Sequence, residues 1–172
     1  MTVSSQVRLA GPDDRNEVWR LLLAGWKENG LFPVAEDKAQ WFMDRCLNYK
    51  RIPADDTGMR GVIGVIGPLG ALEALLFLTV GEFWYSKAKH LEEMILLVDE
   101  PHRKSNHAQA LIDWMKGQVE ETGLPLLTGI LSTHRTQAKC RLYQRKLPKI
   151  GEFFYLAPKA CNIPPALVAS SS

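Results

Sequence analysis

Residues 98–108 read Val98-Asp99-Glu100-Pro101-His102-Arg103-Lys104-Ser105-Asn106-His107-Ala108, a polar stretch set between an apolar run and a helical one. Before them, residues 91–98 are almost continuously apolar, as in a strand buried on both faces. After them, Ala108, Leu111, Trp114, Met115 and Val119 recur at helical spacing, which predicts a helix over 108–121 that Gly123 ends. A strand thus runs into a polar loop that opens directly into a helix. The first N–H groups of such a helix lack intrahelical partners, and its dipole adds partial positive charge. A phosphate suits that place, and Arg103 and Lys104 add full charges. An ordinary strand-to-helix connection with solvated basic residues accounts for the same letters. The segment alone does not choose between them.

Upstream, residues 61–80 read GVIGVIGPLGALEALLFLTV. Two β-rich runs flank Gly67-Pro68-Leu69-Gly70, a hairpin signal in which glycine supplies positive φ and proline presets the turn. Phe83, Trp84 and Tyr85 continue or close the second run. Further back, residues 7–10 predict a short strand. Gly11-Pro12-Asp13-Asp14 starts a helix whose stripe is Val18, Trp19, Leu22, Leu23 and Trp26. A second helix begins near Glu36 with Phe42, Met43, Cys46 and Leu47 on one face. Residues 48–60 read as a loop. Downstream come a short buried strand over 125–131, a basic helix over 135–147 broken by Pro148, and a final strand over 150–156. The order β-α-α-β-β-β-α-β-α-β predicts an α/β fold with a central mixed sheet flanked by helices. With no internal repeat or linker, residues 1–172 read as one domain with its core over about 7–156 and an irregular tail over about 158–172.

The bulk numbers exclude little. A net charge of +2 gives no general argument for nucleic acid or membrane. Cys46, Cys140 and Cys161 are widely spaced, neither a disulfide framework nor a zinc pattern, and suit a reducing, cytoplasmic setting. The longest apolar run, 74–80, is far too short to span a bilayer, and residues 1–14 carry no signal-peptide apolar region.

Arg103-Lys104-Ser105-Asn106-His107-Ala108 resembles the Gln/Arg-x-x-Gly-x-Gly/Ala loop of the GNAT superfamily of N-acetyltransferases, matching at Arg103 and Ala108. Asn106 stands where that family has glycine, and asparagine is the next most tolerant residue for positive φ. Thr136-Gln137-Ala138-Lys139-Cys140-Arg141-Leu142-Tyr143 is similar to the family's Asn-x-x-Ala-x-x-Leu-Tyr at Leu142 and Tyr143, with Thr136 and Lys139 as replacements. The family's later Gly-Phe pair is absent, with Leu147-Pro148 standing there. HRKSNHA, EFWYS, RLYQRK and IGEFFYL are similar to bacteriophage and prophage members.

The resemblance implies an acyl-CoA-dependent N-acyltransferase that moves an acetyl group from acetyl-CoA to an amine by direct attack in a ternary complex. It implies that Val98, Arg103, Lys104, Ser105, Asn106, His107, Ala108 and Thr136 hold the CoA. It places Tyr143 as proton donor to the leaving thiolate and Glu92, six residues before Val98, as a base, with an ordered water chain as the family's alternative to a dedicated base. Strand alternation puts Glu92 on the face of Met94, Leu96 and Val98, and Glu93 on the other. No metal is implied: His102 and His107 lack a Cys/His partner at metal spacing and read as loop histidines. The acceptor is unspecified, and a homodimer is allowed for. Two other readings stay open: a catalytically inactive GNAT-fold CoA-binding or phage accessory module, and a nucleic-acid-contacting protein using the basic helix 135–149, whose six cations lack an interspersed acid.

Overall fold

The computed structural model describes residues 6–50, 61–132 and 134–154. Most of the loop expected over 48–60, the tail over 158–172 and Cys161 lie outside the described residues. The chain forms a five-stranded sheet in the order β1-β2-β3-β4-β5, where β1 is Arg8–Leu9, β2 Gly61–Ile66, β3 Ala74–Glu82, β4 Lys89–Val98 and β5 Leu126–Leu127. Pairing is antiparallel as far as β4 and parallel between β4 and β5. Helices α1 (Arg15–Asn29) and α2 (Glu36–Leu47) precede the long strands, α3 (His107–Thr122) follows β4, and α4 (Thr136–Gln144) follows β5. The expected order is therefore observed as far as α4, and the sheet is mixed as expected.

β2 and β3 are apolar on both faces because both faces are covered. Ile63, Val65, Leu75 and Phe77 pack with Val18, Leu21, Leu22, Met43 and Cys46 of α1 and α2. Val62, Ile66, Leu76 and Leu78 pack with Leu111, Ile112 and Met115 of α3. Each such side chain, fully buried, contributes about 1.5–3 kcal/mol of transfer free energy. The β2–β3 hairpin turns where the sequence places it, with Gly67 at φ 111° and Gly70 at φ 80°, conformations that side chains with a Cβ rarely adopt. Before α1, Asp14 is buried and takes both Arg8 guanidinium nitrogens at 2.7 and 2.8 Å, which holds its carboxyl below the usual range. It also accepts the Gly11 N–H at 3.0 Å and so fixes the chain's entry into the helix.

Several sequence expectations change. β4 is not sheltered throughout: Phe77 pairs with Ile95 and Leu78 with Glu93, so Met94 is an extra residue, and it is 48% exposed. The strand expected over 125–131 shrinks to Leu126–Leu127, because beyond Leu127 the chain leaves β4. Phe83, Trp84 and Tyr85 lie past the end of β3 and are exposed. Over 150–154 no strand forms, and residues 155–156 lie outside the described residues. The aromatic strand propensity of that stretch rests on packing, and Phe153 and Phe154 remain largely exposed.

Candidate active site

The bulge at Met94 reorganises everything expected of β4. An inserted residue reverses the alternation, so Leu91 and Leu96 lie in the same core cluster although an odd number of positions separates them. Glu93 consequently takes the α3 and α4 side with Leu96 and Val98, and Glu92 takes the α1 and α2 side. The expectation that Glu92 shares the face of Leu96 and Val98 is thus reversed. Periodicity could not reveal this, since apolar residues occupy both faces from Ile95 onward.

β4 pairs with β5 only at Leu91–Leu126 and Glu92–Leu127. The next residue of each strand is Glu93 and Thr128, and there the backbones part. A side-chain bond replaces the ladder: Thr128 Oγ1 donates to Glu93 Oε2 at 2.5 Å. Tyr143 of α4 points to the same spot and donates its hydroxyl to the two carboxylate oxygens at 2.6 and 2.7 Å. Burial pushes the Glu93 carboxyl above its ordinary range, a push that the hydrogen bonds from Thr128 and Tyr143 partly offset. Burial, followed by the charge of Glu93, raises the Tyr143 phenol well above its ordinary value. Neither Glu93 nor Thr128 stands out in the sequence as a partner of Tyr143.

On the opposite side, Glu92 Oε1 lies 2.8 Å from Nε2 of the buried His90, whose ring stacks on Phe83. Its carboxylate lies across Gly81, where an added Cβ would come within 2.4 Å of it. A cavity of about 200 Å³ opens here, lined by Phe42, Thr79, Val80, Gly81, Glu82, Glu92 and Met94. The exposed Trp84 and Tyr85 do not line it.

The loop after β4 begins with a short 3-10 turn, Glu100–His102, and leads into α3. Asn106 has φ −91°, so the asparagine at the family's glycine position needs no left-handed tolerance. Ser105 Oγ accepts the His107 N–H at 3.2 Å. Lys104, Ser105 and Asn106 are exposed, Ala108 and Val98 are partly buried, and Arg103 is turned to an ion pair with Glu28 at the end of α1. The His107 side chain is buried and directed to Glu73, so only its backbone belongs to the loop surface.

The same end of α1 reaches α4. Lys139 Nζ donates to Asn29 Oδ1 and Ser132 Oγ, each at 2.7 Å, and His134 Nε2 lies 3.2 Å from Glu28. Burial lowers the Lys139 ammonium below its ordinary range, while the charge of Glu28 partly opposes that shift. Thr136 uses its hydroxyl on the Ser132 carbonyl at 2.8 Å. Glu28 and Asn29 thus join the loop at 103 to the start of α4, the two segments that the sequence relates only by motif. The basic stretch is not one free face: Lys139 is turned inward, Lys146 pairs with Asp113 at 2.9 Å, and Lys149 pairs with Glu152.

No family model and no curated protein matches the sequence. Solved structures do match the fold. A ribosomal-protein-alanine N-acetyltransferase from Brucella melitensis biovar Abortus 2308 is 15% identical with a TM-score of 0.62, over 89% of this chain and 97% of that one. A GCN5-related N-acetyltransferase from Ralstonia eutropha JMP134 is 21% identical with a TM-score of 0.61, over 88% and 97%. An aminoglycoside acetyltransferase from an uncultured soil metagenomic sample is 15% identical with a TM-score of 0.62, over 91% and 99%. The chain therefore has the fold of the GCN5-related N-acetyltransferases across nearly the whole length of these structures.

Proposed function

We propose that this protein is an N-acetyltransferase that binds acetyl-CoA and acylates an amine. The observation that carries the reading is the parting of β4 from β5 at Glu93 and Thr128, with the Tyr143 hydroxyl aimed into the gap. A gap at that point gives the pantetheine arm an unpaired strand edge along residues 93–98, including Val98. The loop at 103–106, exposed at Lys104, Ser105 and Asn106, and the start of α3 lie beyond the end of that edge, where phosphates meet helix N–H groups and the charges of Arg103 and Lys104. The fold shared with named acetyltransferases supports the same reaction class.

In this reading the acceptor enters from the cavity floored by Glu92. The amine nitrogen attacks the thioester carbonyl, the new C–N bond forms and the C–S bond breaks. Glu92 takes a proton from the attacking nitrogen, and Tyr143 gives one to the departing thiolate. Glu93 orients the phenol on the sheltered face. The step requires Glu93 in its protonated form, which burial favours: Tyr143 passes its proton to sulfur as the Glu93 carboxylic acid passes one to the phenol oxygen, and solvent then reprotonates Glu93. Two consecutive carboxylates thereby serve different jobs because the bulge places them on opposite faces. Glu82 and Glu92 favour a cationic acceptor at the cavity mouth. A cytoplasmic, bacteriophage-related setting is part of the proposal and rests on the sequence segments alone.

The test is direct. Millimolar acetyl-CoA should raise the melting temperature, because a ligand that binds only the folded state stabilises it. Release of free CoA thiol should depend on an added amine. An unmoved melting temperature and no heat in calorimetry would refute the reading. Binding without thiol release for any amine of a broad panel would favour a non-catalytic CoA-binding module.

A further inference from the structure

At the two ends of the loop, three ligating side chains converge from separate elements. Glu73 stands just before β3, His102 ends the 3-10 turn after β4, and His107 is the first residue of α3. His107 Nε2 lies 2.6 Å and His102 Nδ1 3.3 Å from the same oxygen, Glu73 Oε2. The two imidazoles stack with centroids 5.9 Å apart, so that each presents a nitrogen to that carboxylate. All three ligand atoms lie within 4.8 Å of one another.

We propose that Glu73, His102 and His107 form a binding site for a divalent transition-metal ion of the zinc class. This inference is independent of the acetyl-CoA reading. Zinc bonds of about 2.0–2.2 Å in tetrahedral geometry place neighbouring ligand atoms about 3.4 Å apart. The His102–Glu73 separation already has that value, and the His107–Glu73 pair must open by less than about 1 Å. Two imidazole nitrogens and one carboxylate oxygen select zinc, cobalt or nickel over magnesium and calcium, which favour all-oxygen shells. His107 is held in the core, with 9% of its side chain exposed, whereas Glu73 and His102 are 30% and 39% exposed. The rigid ligand is therefore inside and the adjustable ones outside, which leaves a coordination position toward solvent, as in zinc sites that retain a water. Partial positive charge at the start of α3 opposes a cation, and the carboxylate of Glu73 supplies the compensating charge. Arg103 does not compete, since it is turned to Glu28. The sequence spacing hides the site because its third ligand comes from just before β3, the strand that pairs with β4.

The experiment uses the full chain without an affinity tag, stripped with chelator and dialysed. Titration calorimetry with zinc should show about one equivalent bound, and magnesium under the same conditions should give no heat. Cobalt should produce visible ligand-field absorption that zinc abolishes. His102→Ala and Glu73→Gln should each weaken zinc binding by roughly tenfold or more, given that changes even outside the ligand shell cost 10–100-fold. His134→Ala, a change at an exposed histidine elsewhere, should leave zinc affinity within about threefold of the parent. Since His107 is buried, circular dichroism would report whether His107→Ala folds; the two exposed variants carry the test if it does not. Absence of zinc binding would overturn the proposal. So would zinc binding that neither His102→Ala nor Glu73→Gln weakens beyond about threefold.

Discussion

The Tyr143 hydroxyl donates to both carboxylate oxygens of Glu93, at 2.6 and 2.7 Å, where β4 and β5 cease to pair. The bond joins α4 to the strand that leads into the loop at 103. It also gives a buried carboxylate a partner besides Thr128, so the phenol has a structural share as well as its proposed chemical one.

Tyr143→Phe removes only the hydroxyl. In the proposed reaction that group meets charge developing on sulfur, so its loss should lower kcat at least tenfold, a modest demand on general-acid effects of 10²–10⁴-fold. Acetyl-CoA affinity should change by less than about threefold, roughly 0.7 kcal/mol. Removing a donor to a buried carboxylate should also destabilise the fold by about 1–3 kcal/mol. Equal turnover in parent and mutant would leave Tyr143 as a packing residue.

Glu93→Gln tests the raised carboxyl. A group whose folded pKa exceeds its unfolded value favours the folded state most at pH below the unfolded value, about 4.3 for glutamate, and that contribution is lost as pH rises through the folded value. Glutamine does not titrate. The melting temperature of Glu93→Gln relative to the parent should therefore become progressively more favourable from pH 4 to pH 8. A flat difference across that window would place Glu93 at its ordinary pKa.

Arg103→Glu places a negative charge where the pyrophosphate is proposed to sit and breaks the ion pair with Glu28. CoA affinity should fall by roughly tenfold or more, whereas Arg145→Glu, at the exposed end of α4, should change it by less than about threefold. Calorimetry that ranks the two variants alike would move the phosphates away from this loop.

Two glycine substitutions separate cavity from core. At Gly81 a Cβ would meet the Glu92 carboxylate at 2.4 Å, which a flexible side-chain end can evade. Gly81→Ala should cost about 1–3 kcal/mol, because displacing Glu92 takes away the partner of the buried His90, and should reduce kcat/KM at least tenfold. At Gly25 a Cβ would stand 2.5 and 2.7 Å from the Leu97 methyl carbons, inside the packing of α1 on the sheet. Gly25→Ala should cost about 1–3 kcal/mol, lowering the melting temperature by several degrees. Unchanged kcat/KM in Gly81→Ala would remove Glu92 from the reaction.

The succession of elements is legible in the residues alone. The stripes of α2 and α3, the turn at Gly67-Pro68-Leu69-Gly70 and the polar loop after β4 follow from periodicity and turn chemistry, which act over a few residues; in α1 the expected Leu23 faces solvent and Leu21 takes the core position instead. The fold class follows from their order. Tertiary structure decided which side chains meet. One unpaired residue, Met94, turned Glu93 toward Tyr143 and Glu92 toward the cavity, because a pleated strand changes face at every position and a bulge shifts all that lies beyond it. The joining of Glu28 to Arg103 and His134, and of Glu73 to His102 and His107, depends on segments far apart in the chain that only the packed sheet brings together. The stretch at 150–154 shows the converse: its aromatic residues have strand propensity, but such propensity is expressed only where neighbouring strands cover the rings.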